Sequence, residues 1–203
     1  MSLGCNMILG STKPESRFTP STDECPTPEL WSCYDDAATE VEVLEFLYSL
    51  VRLTKPQIIL ETGTYHGHGT VHLAQAAKDN GFGRVITCDC GRDEIEVAKA
   101  RIYSYGLGNL VEFNCCTGFE LISRVKDVDF AFLDSASGTC RAEELRQLLP
   151  KLSRQAVVAV HDTSTIHQNC NGGPRNGLKE IASEFGLQII LFDTPRGLTL
   201  LRR

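Results

Sequence analysis

Short apolar segments alternate with longer amphipathic segments along most of the chain. The apolar segments predict buried strands at 57–61, 84–89, 111–115, 128–134 and 156–162. Apolar residues at helical spacing predict helices at 35–53, 70–78, 93–105, 118–125, 142–152 and 177–185. Strands that are separated by helices pair in parallel and carry helices on both faces of the sheet. The sequence therefore predicts an α/β fold with a doubly wound, mostly parallel sheet.

The C-terminal region departs from this alternation. Two further strands are predicted at 187–192 and 198–201, and only the five residues 193–197 separate them. A parallel crossover needs about a dozen residues or more, so these two strands must pair antiparallel. The expected fold is a seven-stranded, Rossmann-like sheet that ends in an antiparallel hairpin.

The length of 203 residues fits a single domain, which we assign to residues 31–203. Residues 1–30 contain four prolines and no periodic pattern, so we expect a mobile N-terminal arm there. An arm of this length can lie across a neighbouring subunit, which leaves a homo-oligomer open.

Charge and hydropathy narrow the expected partners and location. The net charge of −6 argues against nucleic acid and against an anionic membrane surface as partners. The longest apolar run, 156–160, is far shorter than the roughly 18 residues of a transmembrane helix. Nine cysteines cannot all pair, no C-x2-C spacing occurs, and no apolar leader follows Met1. These features predict reduced thiols and a cytoplasmic protein.

Acidic residues stand at the ends of four of the five parallel strands, namely Glu61, Asp89, Asp134 and Asp162. Doubly wound sheets bind ligands beyond the carboxyl ends of their strands, near the point where the strand order reverses. We expect these carboxylates to share the rim of a ligand site, although an aspartate in this position can also cap the following helix.

A glycine-rich loop follows the first strand and contains Gly63, Gly67 and Gly69. Its spacing, G-x-x-x-G-x-G, differs from that of dinucleotide-binding and P-loop motifs. Glu61, just before the loop, would repel a pyrophosphate but tolerate a cationic or zwitterionic ligand. Asp89 suits a ribose in either class of protein, so an NAD-dependent oxidoreductase remains an alternative.

In these residues the chain resembles the class I S-adenosylmethionine-dependent methyltransferases, in the form found in small-molecule O-methyltransferases. Residues 59–70 resemble the first motif of that family, and 85–89 with the following helix resemble the second. The segments 128–134 and 157–162 resemble its fourth and fifth strands, and the terminal hairpin is its usual ending.

The resemblance implies a role for each residue that matches a family motif. The methionine end of the cofactor would be held by Glu61 and by the backbone of residues 63–67, which include Gly63, Thr64, Tyr65 and Gly67. Thr70 would supply a hydroxyl in place of a missing serine, and Asp89 would bind the ribose hydroxyls. Cys90 would flank the adenine, while Cys116 and Thr117 would face the adenine edge. Asp134 would lie under the transferred methyl group.

Methylation of a hydroxyl also requires removal of its proton, and His161 is the expected general base because its ordinary pKa is about 6.5. A divalent cation held loosely by Asp134 and Asp162 is an alternative means of activation. Departures from the catechol-type pattern at Gly69, Ser137 and Thr163 count against that cation, so we assign no metal ligand.

The expected function is therefore O-methylation of a small molecule by S-adenosylmethionine, with S-adenosylhomocysteine as product. The same departures leave open a non-catalytic module that binds the cofactor through a degenerate site. The loop 171–176 is the expected acceptor loop, with Arg175 available to an acidic acceptor.

Overall fold

The computed structural model describes residues 21–135, 138–165 and 173–203. Its helices are α1 (Val41–Thr54), α2 (His68–Asn80), α3 (Arg92–Ser104), α4 (Gly118–Arg124), α5 (Gly138–Leu148) and α6 (Gly173–Phe185). Its strands are β1 (Ile58–Thr62), β2 (Arg84–Asp89), β3 (Val111–Cys115), β4 (Val128–Leu133), β5 (Leu152–His161), β6 (Gln188–Phe192) and β7 (Leu198–Arg202).

All seven strands belong to one sheet, in the order β3-β2-β1-β4-β5-β7-β6. The first five strands are parallel, and β7 is inserted antiparallel between β5 and β6. The predicted doubly wound sheet and its C-terminal antiparallel hairpin are thereby confirmed. The strand order reverses between β1 and β4, so the loops after these strands diverge and leave a crevice at their carboxyl ends.

Alternate residues of the central strands face two separate cores. On β1 and β4, Ile59, Phe130 and Phe132 pack beneath α1, α2 and α3. Leu60 and Leu133 face the opposite side, where α4, α5 and α6 cover them. Burial on both faces explains why these strands are continuously apolar in the sequence.

Several predicted helix bounds differ from the observed ones. Helix α5 begins at Gly138 rather than at residue 142, and α6 begins at Gly173 rather than at residue 177. Two further differences have a clear local cause. Helix α1 begins at Val41 rather than near residue 35, because the Asp35 carboxylate accepts hydrogen bonds from the amides of Ala37 and Ala38 and closes a separate turn. Helix α5 ends at Leu148 rather than at residue 152, because Pro150 forces the chain into a 3-10 turn.

The predicted arm, residues 1–30, falls partly outside the described residues. Residues 21–30 contact the domain: the Glu24 carboxylate accepts hydrogen bonds from Ser164 and Thr165 just beyond β5. A mobile arm stays a prediction for the residues before them. No helix in the described residues is long and apolar enough to cross a membrane.

Candidate functional site

The loop between β1 and α2 is held against the ends of the neighbouring strands. The amides of Gly63 and Thr64 donate to the carbonyl of Cys88 at the end of β2, at 2.9 and 3.0 Å. Gly63 has a φ of 87°, and a Cβ atom there would lie 2.3 Å from the carbonyl oxygen of Asp134. Only glycine permits this approach of the β1 loop to the end of β4.

A cleft of about 290 Å³ lies over the reversal of strand order. It is lined by Ala37, Ala38, Thr39, Glu61, Gly63, Thr64, Tyr65, His68, Gly69, Phe132 and Asp134. Burial lowers the pKa of His68 to about 4, so this ring is neutral at pH 7. The lining therefore has two carboxylates and no cationic side chain, which suits a ligand that carries positive charge.

Glu61 lies at the base of the cleft and is 1% exposed. Its Oε2 atom accepts hydrogen bonds from the hydroxyls of Thr70 (2.5 Å) and Thr87 (2.7 Å). Burial raises its pKa to about 7, although these two hydrogen bonds act in the opposite direction. A nearby cation would favour the ionised form of Glu61, so this residue is well suited to a positively charged ligand.

Asp89, half-buried at the end of β2, orders the loop. Its Oδ2 accepts from the amide of Tyr65 at 2.8 Å, and its Oδ1 accepts from the amide of Gly91 at 3.0 Å. Each carboxylate oxygen has capacity for a further hydrogen bond, so a ribose hydroxyl can still be bound. Tyr65 has a φ of 45°, an uncommon conformation for a residue other than glycine, which indicates a backbone held in place by its surroundings.

The expected adenine edge contains Cys90, Cys116 and Thr117. Cys90 is exposed, and Cys116 is partly buried. Thr117 is the N-cap of α4, where its hydroxyl accepts from the amide of Glu120 and donates to the Glu120 carboxylate. Cys25, Cys88, Cys90, Cys115 and Cys116 carry free thiols. Thr117 thus has a structural task, whereas contact of these residues with adenine stays a prediction.

A buried group of charged side chains lies at the ends of β4 and β5, and we call it the ionic cluster. Its members are Glu40, Asp134, Arg141, His161, Asp162 and Arg196. His161 is fully buried, with its Nδ1 atom 3.1 Å from Asp134 and its Nε2 atom 2.5 Å from Glu40. Two carboxylate partners require both ring nitrogens to carry protons.

This geometry corrects the expected role of His161. Burial alone would lower its pKa, but the charges of Asp134, Glu40 and Asp162 outweigh burial and raise the pKa to about 10. A residue that is protonated at neutral pH and has no exposed surface cannot accept the proton of an acceptor hydroxyl. His161 is therefore a buried imidazolium rather than a general base.

Asp162 is engaged in the same cluster and is not available to a substrate. Arg196 donates to both of its oxygens, from Nε at 2.6 Å and from Nη2 at 2.9 Å, and Arg141 donates to Oδ2 at 2.9 Å. Although burial acts in the opposite direction, the charges of His161, Arg196 and Arg141 hold the pKa of Asp162 well below its usual range.

Asp134 has a different position because it belongs both to the cluster and to the cleft. Its Oδ1 faces His161 and Arg141, while its Oδ2 accepts a hydrogen bond from the hydroxyl of Thr39 at 2.7 Å. Its side chain is 14% exposed. Of the three predicted catalytic residues, Asp134 alone lines the cleft.

Two other expectations need correction. Thr70 is fully buried and its hydroxyl donates to Glu61, so it supports that carboxylate rather than lining the cleft. Arg175 is buried and donates to the carbonyl of Thr163 and to Asp193, so it is not free for an acidic acceptor. Residues 173–176 of the expected acceptor loop belong to α6 rather than to a loop. Ser137 and residues 171–172 lie outside the described residues.

The sequence analysis missed Glu40, Arg141 and Arg196. Glu40 is fully buried at the start of α1, and its other carboxylate oxygen accepts from the Thr194 hydroxyl and from the amide of Arg196. Glu40 is 121 residues from His161, and Arg196 is 34 residues from Asp162, so no local spacing could reveal these two. Arg141 is only seven residues from Asp134, but its contact with Asp162 spans 21 residues.

Residues 60–163, just over half of the chain, match the family described as a methyltransferase domain. The chain belongs to this family of methyltransferases. A comparison of the sequence with curated proteins gives no match.

Several solved methyltransferase structures share the fold. The O-methyltransferase TomG from Streptomyces achromogenes, solved in complex with SAM, is 23% identical, with a TM-score of 0.68 and 82% of each chain covered. Cofactor-bound Rv0187 from MTB is 21% identical, with a TM-score of 0.72 over 83% of this chain and 82% of that one. The SAH-bound methyltransferase PaMTH1 from Podospora anserina is 18% identical, with a TM-score of 0.69 over 82% and 80%.

Proposed function

We propose that the protein transfers a methyl group from S-adenosylmethionine to an oxygen atom of a small molecule. The acidic cleft between the ends of β1 and β4 is the observation that carries this proposal. Its carboxylates and the closely packed Gly63 loop fit the positively charged methionine end of the cofactor. The family match and the O-methyltransferase activity stated for TomG support the same class of reaction.

The residues that would hold the cofactor lie along the ends of β1 and β2. Glu61 and the loop backbone from Gly63 to Gly67 would face its methionine end, and Asp89 would accept hydrogen bonds from its ribose. When bound, S-adenosylmethionine supplies a methyl group on a positively charged sulfur. The protein's main contribution would be alignment of the acceptor with that group, which is worth about 7–11 kcal/mol in well-oriented systems.

Asp134 is the residue that we propose to contact the acceptor. It lines the cleft, and its Oδ2 atom keeps capacity for a second hydrogen bond beside that from Thr39. A hydroxyl that donates to Asp134 would be oriented toward the cofactor's methionine end. A small-molecule acceptor is proposed on sequence grounds, because the net charge of −6 argues against a nucleic acid. A cytoplasmic location and a homo-oligomer remain part of the proposal on sequence grounds.

Titration calorimetry with S-adenosylhomocysteine and with NAD tests the cofactor. We expect micromolar binding of S-adenosylhomocysteine, about −8 kcal/mol, and no binding of NAD. Asp89→Ala should abolish binding, because the ribose and the loop both lose a carboxylate acceptor. Asp93→Ala, which removes an exposed aspartate from the first turn of α3, is the matched control and should bind as the wild type does.

The outcomes separate the alternatives. Unchanged affinity in Asp89→Ala would contradict the proposed cofactor site, and binding of NAD alone would favour an oxidoreductase. Binding of S-adenosylhomocysteine without methyl transfer to any of a panel of hydroxylated small molecules would favour the non-catalytic module.

A further inference from the structure

Asp134, His161 and Asp162 have the geometry of a metal site. Each offers a ligand atom, and these atoms lie within 4.8 Å of one another, which no other such group of three in the described residues does. Carboxylate and imidazole groups are common ligands of divalent cations. The question is whether these atoms are free to bind one.

All of these ligand atoms already have a partner within the protein. Arg196 and Arg141 together bind both oxygens of Asp162. The Oδ1 atom of Asp134 faces His161 at 3.1 Å and Arg141 at 3.4 Å. The remaining nitrogen of His161 donates to Glu40. A cation could bind here only after displacement of a guanidinium or of the imidazolium.

The charges of the ionic cluster also balance. Three carboxylates, from Glu40, Asp134 and Asp162, face three cations, from Arg141, His161 and Arg196. The exposed fraction of the six side chains is 14% or less. A divalent ion that displaced one of these three cations would leave one uncompensated positive charge in this buried place, and such a charge is costly.

The same cations fix one wall of the cleft. Arg196 Nη1 donates to the carbonyl oxygens of Ala37 and Ala38, at 3.1 and 3.2 Å. Thr39, the next residue, donates to Asp134. Residues 37–39 all line the cleft. The cluster thereby attaches the segment before α1 to the ends of β4 and β5.

We infer that the ionic cluster stands in place of a divalent cation: it binds no metal and instead holds residues 37–39 as a wall of the cleft. The value of this wall for methyl transfer rests on the proposed function. The exclusion of the metal does not rest on the proposed function, because metal binding can be measured without cofactor or acceptor.

Manganese(II) binding, followed by the electron paramagnetic resonance of the free ion, tests the inference directly. Wild-type protein should leave the signal of the free ion unchanged. Arg141→Gln gives the cluster one negative charge in excess and should bind the ion at least about tenfold more tightly than Arg141→Lys, which keeps the charge balance. The two variants differ in charge while both retain a long polar side chain.

Two results would overturn the inference. One is manganese binding to the wild type that Asp162→Asn weakens, and this measurement does not depend on whether an arginine variant folds. The other is equal manganese affinity in folded Arg141→Gln and Arg141→Lys. Calorimetry of the wild type with S-adenosylhomocysteine, in EDTA and in magnesium, should give the same affinity. Absence of any such binding would refute the proposed function but leave the manganese result intact.

Discussion

Glu61 and Asp162 are both buried carboxylates at the carboxyl edge of one sheet, yet their surroundings differ in charge. Glu61 accepts hydrogen bonds from two threonine hydroxyls, and burial raises its pKa to about 7. Asp162 is bound by two guanidinium groups, and its pKa lies well below the usual range despite burial. The residue type alone therefore does not determine the charge state.

The difference indicates which end of the site is open to a cationic ligand. Asp162 has its counterions within the fold, and a further cation would gain little there. Glu61 has only neutral donors, and a positively charged ligand beside it would stabilise the ionised form. The contrast favours the proposed cofactor position over β1, with the end of β5 as support for the cleft wall.

Removal of a counterion should have the largest effect on stability. Arg196→Met leaves Asp162 buried with one guanidinium fewer, which we expect to lower the free energy of unfolding by about 3–5 kcal/mol. Urea unfolding measures this loss. Arg202→Met, at an exposed position on β7 of the same hairpin, is the control, and an equal loss in both variants would show that the cluster does not stabilise the fold.

Glu61→Gln should change the free energy of unfolding by less than Arg196→Met does, and in the opposite direction. The native state holds the Glu61 proton up to a pKa of about 7, against 4.5 for the free group. Wild-type stability should therefore fall as the pH rises between these values. The stability of Glu61→Gln should not show this fall. We expect the stability of the variant relative to the wild type to increase by about 3 kcal/mol from pH 4.5 to pH 8. A difference that does not vary with pH in thermal or urea unfolding would contradict this account.

The hydroxyl of Thr39 connects the cleft wall to Asp134 of the ionic cluster. Its loss should have the smallest effect on stability. Thr39→Val removes one donor to Asp134, which should cost about 1.5 kcal/mol of stability and weaken the binding of S-adenosylhomocysteine. Unfolding and calorimetry measure the two effects. In Thr54→Val, the lost hydroxyl donates to the Leu50 carbonyl within α1, and Thr54 does not line the cleft, so cofactor affinity should be unchanged. Equal affinity in the two variants would indicate that the cleft wall does not contribute to binding.

The sequence was sufficient to predict the parts of the molecule that local pattern determines. Strands β2 and β3 have the predicted bounds, because each is a short segment rich in strand-forming residues that lies between turns. The glycine-rich segment before α2 was correctly predicted to be a loop, and its approach to the end of β4 at Gly63 is a finding of the structure.

The charge state of the site could not be predicted in this way. The contact between Glu40 and His161 spans 121 residues, and that between Arg196 and Asp162 spans 34. The expectation for His161 was wrong because it used the pKa of an isolated imidazole. That value changes with the charges beside the ring, and two of these, Glu40 and Asp134, come from segments distant in the sequence.

The insertion of β7 between β5 and β6 has a consequence for synthesis on the ribosome. Until residues 198–202 emerge, one edge of β5 has no strand to pair with, and until Arg196 emerges Asp162 lacks its bidentate partner. The nascent chain thus carries an open sheet edge and an excess of buried acid, both of which favour incorrect association. One short segment, translated after all the others in the sheet, closes the edge and neutralises the acid together.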